Sequence, residues 1–161
     1  MTTALWRIAT DAPDYTADDL SGEGAQRSGG RWNRGGTALV YTSSSIALAC
    51  LETMVHLGSD DLPLNRYLVR VDVPDRIWSD AQRFDPALNV GWDAVPTGKV
   101  SLDAGDTWAR SLRSALLVVP SAIVPEEANV LINPGHGDIS QVRARKMRRW
   151  TYDARPKRLR S

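Results

Sequence analysis

Glu52, Arg31 and Tyr41 are the residues of this sequence whose types and positions best suit chemistry. Glu52 lies in SSSIALACLETMVHL, residues 43–57, a run that predicts a nearly all-apolar helix. An ionised carboxylate on such a helix is costly unless a cation, a hydrogen-bond donor or a ligand compensates its charge. Arg31 lies in the turn-like SGGRWN, and Tyr41 in the strand-like TALVYT. A loop, a strand and a helix therefore each contribute one residue to a predicted site.

Arg31 and Tyr41 also have structural interpretations. Arg31 follows two glycines, which permit a tight turn or the close approach of a ligand. Its guanidinium can fork onto a phosphate pair or onto the Glu52 carboxylate. Tyr41 is either a core residue or a stacking surface whose hydroxyl forms a hydrogen bond. The residues alone leave these alternatives open.

Two further polar residues interrupt apolar segments. Arg7 lies in LWRIA, a predicted strand, and therefore needs an anion or another acceptor. Ser121 follows Pro120 at a predicted bulge or strand edge, where its hydroxyl can point into a cleft. Two arginines, a tyrosine, a glutamate and a serine suit a phosphate-rich ligand that contains a ring. A carboxylate is also the group required beside an oxocarbenium-like sugar transition state.

The standard catalytic signatures are absent from the sequence. It contains no GxGxxG, GxxxxGK[ST], HExxH or GxSxG motif, which argues against classical dinucleotide, P-loop, zinc-hydrolase and α/β-hydrolase sites. The single cysteine, Cys50, excludes an intramolecular disulfide and argues against a cysteine-based metal cluster. We therefore expect no metal.

The elements that must position these residues predict one mixed α+β domain over residues 1–161. Helices and strands alternate too rarely for a doubly wound sheet. We expect Ser44 or Ser45 to cap the helix that carries Glu52, and the helix to be covered on most sides. Residues 75–100 are predicted to be loop, with a helical turn at Asp80–Arg83. The predicted strands span 5–9, 37–42, 66–74, 114–125, 129–134 and 148–156, and the main helices 46–57 and 103–114.

Composition and charge indicate an ordinary cytoplasmic protein. The chain has 161 residues, 42% of them hydrophobic, and no apolar stretch long enough for a membrane span. No secretory signal is visible at the N-terminus. Residues 143–161 hold nine of the 20 Lys and Arg residues and carry +8, against −7 for the rest. Alternation in RRWTYDARP favours a strand with a solvated face over a nucleic-acid-binding tail.

Several motifs together resemble those of RES-domain proteins, the toxins of RES–Xre toxin–antitoxin pairs, a family named for its Arg, Glu and Ser. The matching segments extend from residue 5 to residue 159: LWRI, LSGEGAQRSGGRWNRGGTALVYTSSSIALACLE, GDTW, VPSAIVPEEANVLINP and YDARPKRL. The resemblance implies a fold akin to that of ADP-ribosyltransferases, with small twisted antiparallel or mixed sheets flanked by helices. Where family members usually read NPxHPD, this chain reads NPGHGDIS.

The resemblance also implies an activity and a partner. It implies that NAD+ is a substrate whose nicotinamide–ribose bond is cleaved, with water or phosphate as acceptor, so that growth is arrested. One alternative is ADP-ribosylation of a protein, and another is a non-enzymatic module that only binds an antitoxin. The implied partner is an Xre-type helix-turn-helix antitoxin that inserts a segment into the cleft. A homodimer within that complex is implied too, with DNA contacted only through the antitoxin.

The site residues implied by the resemblance are carried over by position. The expected catalytic residues are Glu52, Arg31 and Tyr41. Ser43, in YTSSS, is similar in place to the serine on the corresponding strand of ADP-ribosyltransferases. The residues expected to bind the dinucleotide are Arg7, Arg31, Tyr41, Ser43 and Ser121.

Overall fold

The computed structural model describes residues 1–57 and 63–153. Within these residues the chain forms seven strands, four α-helices and two short 3-10 helices. The strands are β1 (Thr2–Thr10), β2 (Val40–Ser43), β3 (Arg66–Pro74), β4 (Gln82–Arg83), β5 (Leu116–Pro120), β6 (Ala128–Ile132) and β7 (Arg143–Arg149). The helices are α1 (Glu23–Ser28), α2 (Ile46–Met54), α3 (Asp75–Ser79) and α4 (Lys99–Ser111), with 3-10 turns at Pro86–Leu88 and Gly137–Gln141.

The described strands form one mixed sheet in the order β4-β5-β6-β2-β1-β3-β7. Neighbouring strands are antiparallel except β4 and β5, which run parallel. Helices flank the sheet, so the prediction of a mixed α+β domain is confirmed. None of the described helices combines the length and the apolarity needed to cross a membrane.

The core is divided between the two faces of the sheet. On one face, Val71 of β3 belongs to the same buried cluster as Ile77 of α3. On the other face, Leu131 of β6 clusters with Trp108 of α4, and α2 covers Ile8 of β1. This division follows from strand geometry, because successive side chains of a strand point to opposite faces. Helices α2 and α4 therefore share one face of the sheet.

The sheet has a weak point between β1 and β2, in its middle. These two strands share one registered pair, Trp6 with Ser43, whereas β1 and β3 pair along nine residues. Beyond that pair, Arg7 and Thr42 begin two stretches that do not pair with each other. The described strands thus form two halves, β4-β5-β6-β2 and β1-β3-β7, which the Trp6–Ser43 pair joins and which separate from Arg7 and Thr42 onward.

Helix α2 begins as predicted and ends at Met54, before the predicted end at residue 57. The Ser45 side chain caps it by accepting a hydrogen bond from the Leu48 N–H at 3.1 Å. Leu48 and Ala49 are its buried residues, while Ala47 is exposed and Val55, which follows the helix, is 56% exposed. The other six of its nine residues are half-buried, which fits the expectation that the helix is covered on most sides.

Three other segments differ from the sequence predictions. Residues 75–100 contain α3, and the helical turn expected at Asp80–Arg83 is instead β4, which is held by parallel pairing with β5. Helix α4 begins at Lys99, four residues before the predicted start. Strand β7 ends at Arg149, so it mostly precedes the predicted strand over 148–156. β7 is nearly all exposed and lacks apolar alternation, and its pairing with β3 defines it. Residues 154–161 lie outside the described part.

Candidate active site

The carboxylate of Glu52 lies at the centre of a hydrogen-bond network that joins α2 to β5, β6 and β2. Its Oε1 accepts one hydrogen bond from Ser121 Oγ at 2.6 Å and one from Asn129 Nδ2 at 2.6 Å. Such short hydrogen bonds are typical of a charged acceptor. The carboxylate that stood out in the sequence thus accepts hydrogen bonds from two neutral side chains.

Each of these two donors is oriented by further hydrogen bonds. Ser43 Oγ donates to Asn129 Oδ1 at 2.7 Å, which turns the amide nitrogen of Asn129 toward Glu52. Ser121 Oγ accepts from two backbone N–H groups of the turn that follows it, each at 3.1 Å. Its one hydrogen is therefore directed to the carboxylate. All the donors in the network have a defined direction before any ligand binds.

Strand register explains why these residues meet. Ser43 pairs with Asn129 across β2 and β6, and Asn129 pairs with Val119 across β6 and β5. Directly opposed residues in an antiparallel pair point to the same face of the sheet. Pro120 ends β5, and Ser121 is the first residue beyond it. The predicted interruption at Pro120 is therefore a strand end, after which the Ser121 hydroxyl reaches Glu52.

The network has a buried side, formed by Ser43 and Ser121, and an accessible side, formed by Glu52 and Asn129, which we call the front. Ser121 is 0% exposed and Ser43 is 4% exposed, whereas Glu52 and Asn129 are partly exposed. Among the described residues, both hydrogen bonds to the carboxylate end on Oε1, and no ion pair reaches it. The second oxygen, Oε2, is therefore available to a ligand at the front.

Arg31 holds a neighbouring loop and does not pair with Glu52 in the described residues. Its Nη1 donates to the carbonyl oxygens of Trp92 at 3.1 Å and Ala94 at 3.0 Å. The ring of Trp92 in turn stacks on that of Trp32, with centroids 6.1 Å apart. The guanidinium is partly exposed. Its Nε and Nη2 groups have no hydrogen-bond partner in residues 1–57 and 63–153.

The Tyr41 hydroxyl is engaged in holding the loop that carries Arg31. It donates to Asn33 Oδ1 at 2.6 Å and accepts from the Trp32 N–H at 3.0 Å. Burial raises the pKa of Tyr41, so the phenol stays protonated. A Cβ at Gly30 would lie 2.6 Å from this hydroxyl, so only glycine permits the close approach. The hydroxyl is thus part of the scaffold, and the ring is what remains for a ligand.

Helix α4 clamps the same loop from the other side. Asp106 is 3% exposed and accepts from Arg34 through both its backbone N–H, at 3.1 Å, and its Nη1, at 3.0 Å. Asp103 accepts from Arg34 Nη2 at 2.7 Å. Gly105, between them, lies so close to the loop that a Cβ there would be 1.7 Å from the carbonyl oxygen of Trp32. The position of Arg31 therefore depends on α4.

Arg7 is a half-buried cation beside the Trp6–Ser43 pair, where the pairing of β1 with β2 ends. Strand alternation puts its side chain on the face of Leu5 and Ala9, whereas Trp6 lies on the face covered by α2. Its Nε is buried without a hydrogen-bond partner among the described residues. Burial lowers its pKa, and the nearby Asp19 carboxylate only partly opposes this effect. Within residues 1–57 and 63–153, the Arg7 Nε–H is thus a donor without an acceptor.

The structure brings together some of the predicted site residues and separates others. Glu52, Ser43 and Ser121 share one network, whereas in the described residues Arg7, Arg31 and Tyr41 form no hydrogen bond with it. Asn129 was missed in the sequence. Its signal was a polar residue at the start of the apolar strand NVLI, in register with Ser43. In residues 1–57 and 63–153, no group of three or more His, Cys, Asp or Glu could hold a metal ion.

Replacing Tyr41 by phenylalanine is expected to destabilise the protein by about 1–3 kcal/mol. The change leaves the Trp32 N–H and the Asn33 side-chain oxygen, Oδ1, without their Tyr41 partner, and a broken buried hydrogen bond usually costs this much stability. Thermal unfolding measures the effect. Tyr67→Phe is the matched control, because the Tyr67 hydroxyl makes no hydrogen bond within the described residues. Equal melting temperatures for the two variants would show that the Tyr41 hydroxyl does not hold the loop.

Comparison with known proteins gives a consistent result over nearly the whole chain. A family model described as RES domain matches residues 4–155. A protein of Sphingobium sp. named Prs ADP-ribosylating toxin is 61% identical over 156 residues, which is 96% of this chain and 97% of that protein. Proteins named Toxin Res are similar as well. The one from Pseudomonas putida is 41% identical over 82% of this chain and 85% of its own, and the one from Photorhabdus laumondii is 39% identical over 74% and 76%.

Proposed function

The chain belongs to the RES domain family, and we propose that it is a toxin that consumes NAD+ by breaking the bond between nicotinamide and ribose. Relatives whose names describe them as toxins support the first part of this proposal. The relative named as ADP-ribosylating supports the second, because ADP-ribosylation uses NAD+ and releases nicotinamide. The Glu52 network is the part of the structure that suits this chemistry.

The single observation that carries the proposal is a carboxylate held by neutral donors at an accessible surface. Loss of nicotinamide leaves positive charge on the ribose ring, and a fixed carboxylate beside that ring stabilises the charge in the transition state. An arginine paired with Glu52 would weaken this effect by compensating its charge. Ser121 and Asn129 orient the carboxylate without adding a cation. Oε2 is the oxygen that we assign to the ribose.

The remaining predicted residues have proposed roles that their surroundings support. The Arg7 Nε has no hydrogen-bond partner among the described residues and belongs to the residue that follows the Trp6–Ser43 pair of β1 and β2. This unpaired donor suits a phosphate group of the dinucleotide. The free N–H groups of Arg31 suit a second phosphate contact at the accessible rim. The Tyr41 ring offers a stacking surface, since its hydroxyl is already engaged. Ser121 acts on the Glu52 carboxylate directly, and Ser43 acts on it through Asn129.

Two candidate activities differ in the acceptor of the ADP-ribosyl group. The relative at 61% identity favours transfer to a protein, as its name describes an ADP-ribosylating toxin. Most glycoside hydrolases use two carboxylates, one of which activates water or protonates the leaving group. The described network contains one carboxylate, and this also favours an acceptor that brings its own nucleophile. Phosphate is such an acceptor, and water is the remaining alternative.

The acceptor can be identified by incubating the purified protein with NAD+ in three ways: in a phosphate-free buffer, with phosphate, and with bacterial extract. We expect nicotinamide to form wherever a suitable acceptor is present. Mass spectrometry then distinguishes free ADP-ribose, ADP-ribose carrying an added phosphate, and ADP-ribosylated protein. Intact NAD+ in all three mixtures would contradict the proposed activity. It would favour the alternative of a non-enzymatic module that only binds an antitoxin.

We also propose an antitoxin as the partner of this chain, since relatives carry the name Toxin Res. The family resemblance suggests an Xre-type helix-turn-helix protein that blocks the cleft, and a homodimer of the toxin within the complex. Co-expression with the product of the adjacent reading frame tests this part of the proposal. Restored growth and a co-purifying complex are expected. Growth arrest that continues despite a folded product of that frame would contradict it.

A further inference from the structure

We infer that Asn129 is a positioning residue that makes Glu52 act through one carboxylate oxygen. This inference rests on the proposed function, which assigns Oε2 of Glu52 to the substrate. Asn129 contacts neither the proposed substrate nor the reacting atoms in this assignment. Its amide acts through Glu52, by holding the other carboxylate oxygen, Oε1.

The amide group of Asn129 can do this because its orientation is determined from behind. Ser43 is nearly buried, and its hydroxyl donates to Asn129 Oδ1 at 2.7 Å. With the oxygen side of the amide committed to Ser43, the NH2 side must face Glu52, and it donates to Oε1 at 2.6 Å. Ser43 and Asn129 are a registered pair of β2 and β6, so the backbone holds both at fixed positions.

A second donor reaches the same oxygen from another direction. Ser121 Oγ also donates to Oε1 at 2.6 Å, and it comes from the end of β5. With one donor, the carboxylate could rotate about its Cγ–Cδ bond. Two donors from different segments of the chain define its plane. With both donors on Oε1, the accessible oxygen is Oε2. Asn129 and Ser121 together therefore select the oxygen that faces a ligand.

The identity of residue 129 matters because an amide is a donor and an acceptor at once. Aspartate has nearly the same shape but lacks the donor when it is ionised. Asn129→Asp would place a second carboxylate against Oε1, so the pair would share one proton and titrate in two steps. When the pair holds one proton, that proton forms a hydrogen bond between the carboxyl groups of residues 129 and 52. When both groups are ionised, the two carboxylates repel each other. Activity of this variant should therefore fall as pH rises.

The test measures the Glu52 carboxyl directly and activity separately. We expect 13C NMR of Asn129→Asp to show the upper apparent pKa of the pair raised by about one unit or more above that of Glu52 in the wild type. The Glu52→Gln spectrum assigns the resonance. Above that upper pKa, kcat for nicotinamide release should fall about tenfold per pH unit, with KM little changed. Asn65→Asp, an exposed substitution of the same kind, is the control and should leave both profiles unchanged.

Two outcomes would overturn the inference. One is an identical Glu52 titration in wild type and Asn129→Asp, and the other is a Ser43→Ala variant with wild-type kcat at every pH. Ser43→Ala keeps the Asn129 side chain but frees its amide to turn, so it also covers the case in which Asn129→Asp does not fold. The NMR titration needs no NAD+. It therefore tests the contact between Asn129 and Glu52 even if the wild type proves to release no nicotinamide, while kcat of the variants tests its positioning role.

Discussion

Replacing Glu52 by glutamine is expected to lower the rate of nicotinamide release by about a thousandfold or more. The substitution is nearly isosteric. The glutamine carbonyl oxygen can still accept from Ser121 and Asn129, so the orientation of the side chain is retained. What changes is the group facing the ligand, where an amide nitrogen replaces Oε2 and the negative charge is lost. The effect should therefore appear in kcat.

Chromatography of nicotinamide formed by the purified variant measures this effect. Glu126→Gln removes an equal charge from an exposed side chain outside the network and is the matched control. We expect the control to retain wild-type activity, and both variants to unfold within about 1 kcal/mol of the wild type. A Glu52→Gln variant that keeps more than about a tenth of wild-type kcat would remove Glu52 from the catalytic step.

Replacing Gly105 by alanine is expected to destabilise the protein by about 3 kcal/mol or more. The new Cβ would lie 1.7 Å from the carbonyl oxygen of Trp32. Because the obstacle is backbone, rotation of a side chain cannot relieve the overlap, and α4 must move away from the loop. That movement also breaks the hydrogen bonds between Asp106 and Arg34.

Thermal unfolding should show this loss as a decrease in melting temperature of about 6–12 °C for a domain of this size. Gly137→Ala is the matched control, because a Cβ at Gly137 meets nothing within 4 Å. Nicotinamide release by any folded Gly105→Ala should also fall, since the loop it displaces carries Arg31. Equal melting temperatures for the two alanine variants would show that α4 does not approach the loop as closely as described.

Much of the candidate site could be predicted because it breaks local rules. Glu52 stands out as a carboxylate on an apolar helix, and its position demands a compensating group. Ser121 stands out because Pro120 interrupts an apolar strand. Strand β3 could be predicted from its alternating apolar residues, and the cap of α2 from a serine immediately before the helix. Each of these signals lies within a few consecutive residues. Local features of this kind are visible without knowledge of the tertiary structure.

The partners of these residues could not be predicted, because they come from distant parts of the chain. Asn129 bonds to Glu52 across 77 positions, and Arg31 bonds to Ala94 across 63. Both contacts depend on strand order and loop packing. The sequence left open whether Arg31 pairs with a phosphate or with Glu52, whereas in the described residues two neutral side chains donate to the Glu52 carboxylate.

A crystal structure of the Glu52→Gln protein with NAD+ bound would test the proposed role of Glu52. We expect the dinucleotide to lie at the accessible front of the network, with its nicotinamide ribose in hydrogen-bond contact with the side chain of residue 52. We also expect Ser121 and Asn129 to remain bonded to the other terminal atom of that side chain. NAD+ bound with its nicotinamide ribose away from residue 52 would show that Glu52 does not have this role.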